Sequence, residues 1–146
     1  MRQEGLSPEY VGRLAKVVEL APFMRQLGMR LEEAGPGYAR IALPFRPENT
    51  TGGGVLHGGA IASLMDTAGA IAAWTMAEMG SPRYSGSTVS ITVNYLAPAA
   101  NQGVAAEARL LRRGRELFYL EVRVTGEGGS LLAQGSVIYR IVEREG

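Results

Sequence analysis

The sequence contains no cysteine and only one histidine, His57, among its 146 residues. The absence of cysteine excludes disulfide frameworks, thiolate nucleophiles and cysteine-based zinc sites, and one histidine cannot supply two imidazole ligands. We therefore expect no metal site. Any chemistry that needs an imidazole base depends on His57 alone.

The sequence also has no excess of charge of one sign, because it contains 15 basic and 14 acidic residues and its net charge is +1. Binding to nucleic acid or to an anionic membrane surface requires a basic patch, so neither partner is expected. The first residues have no uninterrupted apolar stretch of signal-peptide length, which favours a cytoplasmic location. The length fits a single domain over residues 1–146.

The longest apolar stretch, residues 58–79, approaches the length that spans a bilayer. Asp66 lies near its middle, where a carboxylate is costly in lipid, and neither basic nor aromatic residues cluster at its ends. A helix that is apolar on all sides is typical of a protein interior. We therefore predict a long buried helix that is covered by a sheet.

The residues before this stretch predict a short amphipathic helix and a hairpin. Ser7 is a candidate N-cap, Pro8 suits the first helical position, and the helix is expected over residues 7–20. Alternation over 27–32 and 38–43, on either side of a Gly-Pro-Gly turn, predicts two half-buried strands.

Four further alternating segments follow the apolar stretch. They cover residues 88–95, 104–111, 117–124 and 131–142, and short turns connect the later ones. Consecutive hairpins favour an antiparallel sheet, and the long apolar helix must pack on one of its faces. The predicted class is α+β.

His57, Gly58 and Gly59 stand where the long helix is expected to begin. Unpaired N–H groups and the positive end of the helix dipole would stabilise a developing oxyanion there. Glycine at both positions would let a substrate carbonyl approach the backbone closely. The alternative is that both glycines only permit tight packing.

Asp66 is the one charged residue between Gly58 and Ala77. A buried carboxylate is costly without partners, and such groups cluster at functional sites. Alternatively, hydrogen bonds to Ser or Thr groups would give it a purely structural role. Eight residues separate Gly58 from Asp66, about 12 Å along a helix, so joint action on one carbonyl requires a second copy of the chain.

These residues carry a resemblance to a known family. The sequence from His57 through Gly58 and Gly59 to Asp66, within a small-residue helix, resembles the hot-dog-fold acyl-CoA thioesterases, most closely their phenylacetate-pathway branch. The segment TVSITVNYLAPA, residues 88–99, resembles the family's strand that ends at a proline. The resemblance implies an antiparallel sheet around a central helix, and a homodimer or a dimer of dimers.

The resemblance also implies roles for individual residues. The Gly58 N–H would polarise the thioester carbonyl, and Asp66 of the opposing protomer would act as general base or nucleophile. His57 would orient the thioester, and the Thr88 hydroxyl would position the carboxylate or the water. Coenzyme A enters as part of the substrate, and no separate cofactor is expected.

One position departs from the family pattern. Six residues before the histidine the family usually has asparagine, whereas this sequence has Thr51. Asn49 fills the role if the longer glycine loop brings it close, and Thr51 is the alternative. Asn49 is also explained as a turn residue beside Pro47.

The substrate leaves further alternatives open. Four arginines are candidates for binding the phosphates of coenzyme A, although an arginine is more often just a solvated surface charge: Arg83, Arg112, Arg113 and Arg115. Four apolar side chains are candidates for the acyl pocket wall or for ordinary core: Met65, Trp74, Met76 and Met79. Hydration of enoyl thioesters and non-catalytic acyl-CoA binding are the alternative functions.

Overall fold

The computed structural model describes residues 5–144 of the chain. Within that range an antiparallel sheet covers one long helix, and a shorter helix precedes the sheet, as predicted. In chain order the elements are α1 Pro8–Leu20, α2 Pro22–Leu27, β1 Arg30–Gly35, β2 Tyr38–Leu43, a 3-10 turn Pro47–Asn49, α3 Gly58–Trp74, β3 Tyr84–Tyr95, β4 Val104–Arg113, β5 Leu117–Gly126 and β6 Leu131–Glu143.

The strands of this sheet follow the order β1-β2-β4-β5-β6-β3, and each neighbouring pair is antiparallel. The middle of α3 lies very close to β6, because a Cβ atom added at Gly69 would be 2.7 Å from Cβ of Val137. Glycine at this position therefore permits the close helix-to-sheet contact that forms the core.

The first helix is tied to the end of α3. Its N-terminus is capped by Ser7, whose Oγ accepts a 3.1 Å hydrogen bond from Tyr10 N, and its apolar face buries Leu14. The Tyr10 hydroxyl lies 2.7 Å from the carbonyl oxygen of Trp74 and accepts a hydrogen bond from Met79 N. These contacts occupy backbone groups that the end of a helix leaves unpaired.

Two predicted boundaries are wrong. The long helix ends at Trp74 rather than near Met79, and the Thr75 hydroxyl that caps it accepts a hydrogen bond from Gly37 N. Residue 27 belongs to α2 and not to a strand; the left-handed backbone of Gly28, with φ 79°, ends α2 and delays β1 until Arg30. No helix in residues 5–144 combines the length and apolarity needed to cross a bilayer.

Candidate active site

Asp66 lies in the middle of α3, and a strand hydroxyl contacts it. The Thr88 Oγ1 donates a 2.7 Å hydrogen bond to Oδ1 of Asp66. Strand β3 begins at Tyr84, earlier than predicted, and its register shifts between Thr88 and Ser90. A bulge of this kind reverses the alternation of side chains, so Thr88 points toward the helix instead of sharing the outer face with Thr92.

The Asp66 carboxylate is half-buried and opens into a cavity of about 350 Å³. The cavity lies between α3 and the two N-terminal helices, and most of its wall is apolar: Val17, Phe23, Met24, Ala70, Ile71 and Trp74. A mostly apolar cavity of this size with a few polar groups in its wall is typical of small-molecule binding sites.

Two aromatic side chains of the cavity wall, Trp74 and Tyr139, contact each other. The Trp74 Nε1–H donates a 2.9 Å hydrogen bond to the Tyr139 hydroxyl, and the two rings meet edge to face with centroids 6.3 Å apart. Burial raises the pKa of Tyr139, and the negative charge of Asp66 raises it further. The hydrogen bond from Trp74 lowers the pKa by a smaller amount than burial raises it. The Tyr139 hydroxyl is therefore protonated at neutral pH.

His57 caps the N-terminus of α3, as its position in the sequence indicates. Its Nδ1 accepts a 2.8 Å hydrogen bond from Gly59 N, and its side chain is exposed. The N–H of Gly58, the first residue of the helix, has no acceptor within the helix. The Tyr95 hydroxyl donates a 2.6 Å hydrogen bond to Gly58 O, so the strand and the helix terminus are held together.

Asn49 lies beside His57, whereas Thr51 does not. Asn49 is 2 % exposed, its backbone oxygen accepts from His57 N at 2.8 Å, and its Nδ2 donates to Leu27 O at 2.9 Å. Its Oδ1 is buried and finds no hydrogen-bond partner within the described part of the chain. Thr51 is exposed and accepts from Gly53 N in the loop. The geometry thus favours Asn49 for the family's asparagine position, and its chemical role remains a prediction.

Within one chain the two halves of the predicted site are apart. His57, Gly59 and Asn49 line a smaller pocket of about 190 Å³, while Asp66 lines the larger cavity. Gly58 and Asp66 stand eight residues apart on helix α3, roughly 12 Å along its axis. One chain does not bring them to the same atom.

The candidate arginines lie outside the cavity wall that contains Asp66. Arg83 is exposed and its Nε donates to Glu143 at 2.6 Å, and Arg112 is exposed on β4. Arg113 and Arg115 line a separate cavity of about 400 Å³. Phosphate binding by any of them remains a prediction.

The candidate wall residues divide between three environments. Trp74 and Met79 line the Asp66 cavity, Met76 lines the separate cavity, and Met65 is fully buried in the core. Tyr139 was not predicted from the sequence as a residue of the site. It lies on the buried face of β6, two residues after Val137. Alternation gives no sign that its hydroxyl reaches the helix.

Comparison with known proteins shows the family of the chain. A sequence profile described as the thioesterase superfamily matches residues 53–133, more than half of the chain. The chain belongs to the thioesterase superfamily. The match includes His57, α3 with Asp66 and strand β3 with Thr88, whereas Asn49 and Tyr139 lie outside the matched residues.

Named relatives of this thioesterase-superfamily chain support the hot-dog fold that the sequence indicated. Human acyl-coenzyme A thioesterase 13 is 33% identical over 116 residues, 77% of this chain and 80% of that protein. A mutant thioesterase from Pseudomonas aeruginosa superposes with a TM-score of 0.83 at 21% identity, covering 95% of this chain and 97% of that one. The Escherichia coli PaaI protein, from the phenylacetic acid degradation operon, superposes with a TM-score of 0.78 at 18% identity, covering 92% and 91%.

Proposed function

We propose that the protein hydrolyses an acyl-coenzyme A thioester to the free acid and coenzyme A. The observation that carries this proposal is the Asp66 carboxylate, held by Thr88 at 2.7 Å and opening into a mostly apolar cavity. Membership of the thioesterase superfamily and the similarity to human acyl-coenzyme A thioesterase 13 support the same reaction class. A thioester needs only an oxyanion site and a carboxylate for hydrolysis.

The complete site belongs to a homodimer in this proposal. Within residues 5–144, β3 pairs with β6 alone, so its other edge has unpaired backbone groups, and such an edge pairs readily with a second strand. Apolar side chains on this strand are also exposed, Val89 by 54% and Tyr95 by 54%. Pairing of two β3 edges across a two-fold axis would bring Gly58 of one protomer to Asp66 of its partner.

In that arrangement each residue has a distinct chemical task. The Gly58 N–H and the helix dipole stabilise negative charge on the thioester oxygen, and His57 lies next to them. Asp66 attacks the carbonyl carbon or removes a proton from the attacking water, while Thr88 fixes the direction of its carboxylate. When Asp66 acts as the base, water bonds to the carbonyl carbon, the C–S bond breaks, and the proton held by Asp66 passes to the thiolate of coenzyme A. When Asp66 acts as the nucleophile, breaking of the C–S bond leaves a mixed anhydride, and water hydrolyses it to the free acid, restores the carboxylate and supplies the proton for the thiolate.

Release of free thiol from a panel of acyl-CoA substrates tests the proposal. Asp66→Asn and Asp66→Ala should lower kcat by roughly a hundredfold or more, because general-base catalysis contributes that much. Glu78→Gln is the matched control, since Glu78 is exposed and forms only a 3.9 Å ion pair with Arg13. Both Asp66 variants must keep the fold and the oligomeric state, and undiminished turnover in them would refute the catalytic assignment.

A further inference from the structure

The arginines of the chain differ in whether they form ion pairs. Within residues 5–144, six of them form an ion pair with a glutamate: Arg13, Arg40, Arg83, Arg109, Arg123 and Arg140. Three arginines that form no ion pair in the same range line one cavity of about 610 Å³: Arg25, Arg30 and Arg46. This arginine cavity lies between the end of α2, the start of β1 and the loop after β2. None of its described wall residues belongs to the Asp66 cavity or to the pocket beside His57.

The wall of the arginine cavity has a net positive charge. Among its described residues Glu19 is the one acid, so three positive charges and one negative charge sum to +2. Like charges around one concave surface repel each other, and such a surface attracts anions. Arg25 lies in the last turn of α2, where the helix dipole favours a cation, but this accounts for Arg25 alone. A bound anion would remove the repulsion among all three guanidinium groups.

A glycine holds the Arg46 guanidinium in place. A Cβ atom at Gly28 would lie 2.5 Å from Cζ of Arg46, 2.7 Å from Nη2 and 2.8 Å from Nη1. These similar distances show that the guanidinium packs with its face against the backbone of Gly28, whose φ of 79° also favours glycine. A planar group fixed in this way presents its N–H donors to a phosphate with little further loss of side-chain entropy.

Asn49 joins the arginine cavity to the start of α3. Its Nδ2 donates to Leu27 O at 2.9 Å and to Pro44 O at 3.2 Å, so it holds the chain on two sides of the cavity. Its backbone oxygen accepts a hydrogen bond from His57 N at 2.8 Å. The arginine cavity and the helix terminus at Gly58 are therefore connected through one buried residue.

We propose that Arg25, Arg30 and Arg46 form a binding site for a diphosphate group of the kind that nucleotides and coenzyme A carry. Guanidinium groups form paired hydrogen bonds to phosphate oxygens, and three of them suit an anion with more than one charge. A cavity of about 610 Å³ also has room for the nucleoside beside the phosphates. The site itself does not depend on the proposed hydrolysis; only its occupation by the coenzyme A of the substrate rests on that function.

Calorimetric titration with ADP, AMP and adenosine tests the site on the whole protein. Affinity should increase with each phosphate, and the affinity for ADP should decrease with rising salt concentration. Arg30→Gln and Arg46→Gln should each weaken ADP binding by roughly tenfold or more, because each removes charge-assisted hydrogen bonds. Arg123→Gln is the matched control, since Arg123 is exposed on β5, carries the same charge and lies outside the arginine cavity.

Two results would overturn the proposal. One is the absence of ADP binding to the wild-type protein, and the other is an ADP affinity that is the same in the Arg30, Arg46 and Arg123 variants. Should Arg46→Gln lose the fold through its contact with Gly28, Arg30→Gln still decides the question, because Arg30 is exposed.

A pair of thioesters with the same acyl group shows which molecule supplies the diphosphate. Acyl-CoA carries it, whereas the acyl thioester of N-acetylcysteamine has no phosphate. If coenzyme A occupies the site, Arg30→Gln should lower the preference in kcat/KM for acyl-CoA over the N-acetylcysteamine thioester by roughly tenfold, and ADP should compete with acyl-CoA. An unchanged preference, together with ADP binding that depends on the arginines, assigns the same site to a separate nucleotide.

The two readouts separate this inference from the proposed function. If neither thioester is hydrolysed while ADP binding depends on the arginines, the hydrolase proposal is wrong and the diphosphate site stands. If acyl-CoA is hydrolysed while ADP binding does not depend on them, the diphosphate site is wrong and the hydrolase proposal stands.

Discussion

The Thr88 hydroxyl reaches the Asp66 carboxylate because a register shift in β3 turns the Thr88 side chain toward α3. The exposed polar residues that follow, Thr92 and Asn94, belong to the outer face of the strand, where Asn94 Nδ2 donates to Gln134. An irregularity in the strand ladder therefore places the hydroxyl beside the one acidic group of the helix.

Thr88→Val should lower kcat by roughly tenfold to a hundredfold with a smaller change in KM, because it removes one hydrogen bond to the carboxylate while keeping the side-chain shape. Thr88→Ser, which retains the hydroxyl, should recover most of the rate. Thr92→Val on the outer face is the control. Steady-state thiol release measures all three, and a valine variant as active as the serine variant would deny Thr88 a positioning role.

Gly69→Ala should destabilise the protein by about 1–3 kcal/mol, because its Cβ would lie 2.7 Å from that of Val137. Gly12→Ala in α1 is the matched control, and its expected change in the free energy of unfolding has the opposite sign. A Cβ atom at Gly12 meets nothing within 4 Å, so alanine should stabilise by up to about 1 kcal/mol. Urea denaturation measures both, and equal effects would contradict the close packing of α3 on β6.

Mixing two inactive variants tests whether the site is shared between protomers. Asp66→Ala and Gly58→Val should each be inactive, yet a heterodimer of the two would contain one intact pair, Gly58 from one chain and Asp66 from the other. Co-expression at equal amounts should therefore restore about a quarter of the wild-type activity. A site contained within one chain would give no recovery, and that result would rule out the shared site.

Alkaline pH should weaken the fold through Tyr139. Burial raises the pKa of this phenol above its ordinary value of 10.0, so the folded state retains its proton more strongly than the unfolded chain does. The resulting stability is fully present below pH 10 and decreases as the pH rises above it. Tyr139→Phe cannot ionise, and its Tm should fall less steeply between pH 9 and about 11; parallel curves for the two proteins would contradict the prediction.

Much of the architecture could be predicted because it depends on local patterns. Alternating residues revealed the strands, the apolar stretch with Asp66 revealed the buried helix, and His57 with its two glycines marked the helix start. Helix α2 was missed because Pro22–Leu27 is only six residues long, too short for a helical period to become visible.

The sequence by itself determined that the chain folds as α+β and predicted which residues are candidates for chemistry, since periodicity and the cost of burying a charge are properties of composition and order. Only the tertiary structure decided that Thr88 contacts Asp66, that Asn49 rather than Thr51 lies against His57, and that Trp74 donates a hydrogen bond to Tyr139 in the cavity wall. Such contacts join residues distant in the chain, and they depend on strand register and helix placement, which no local pattern specifies.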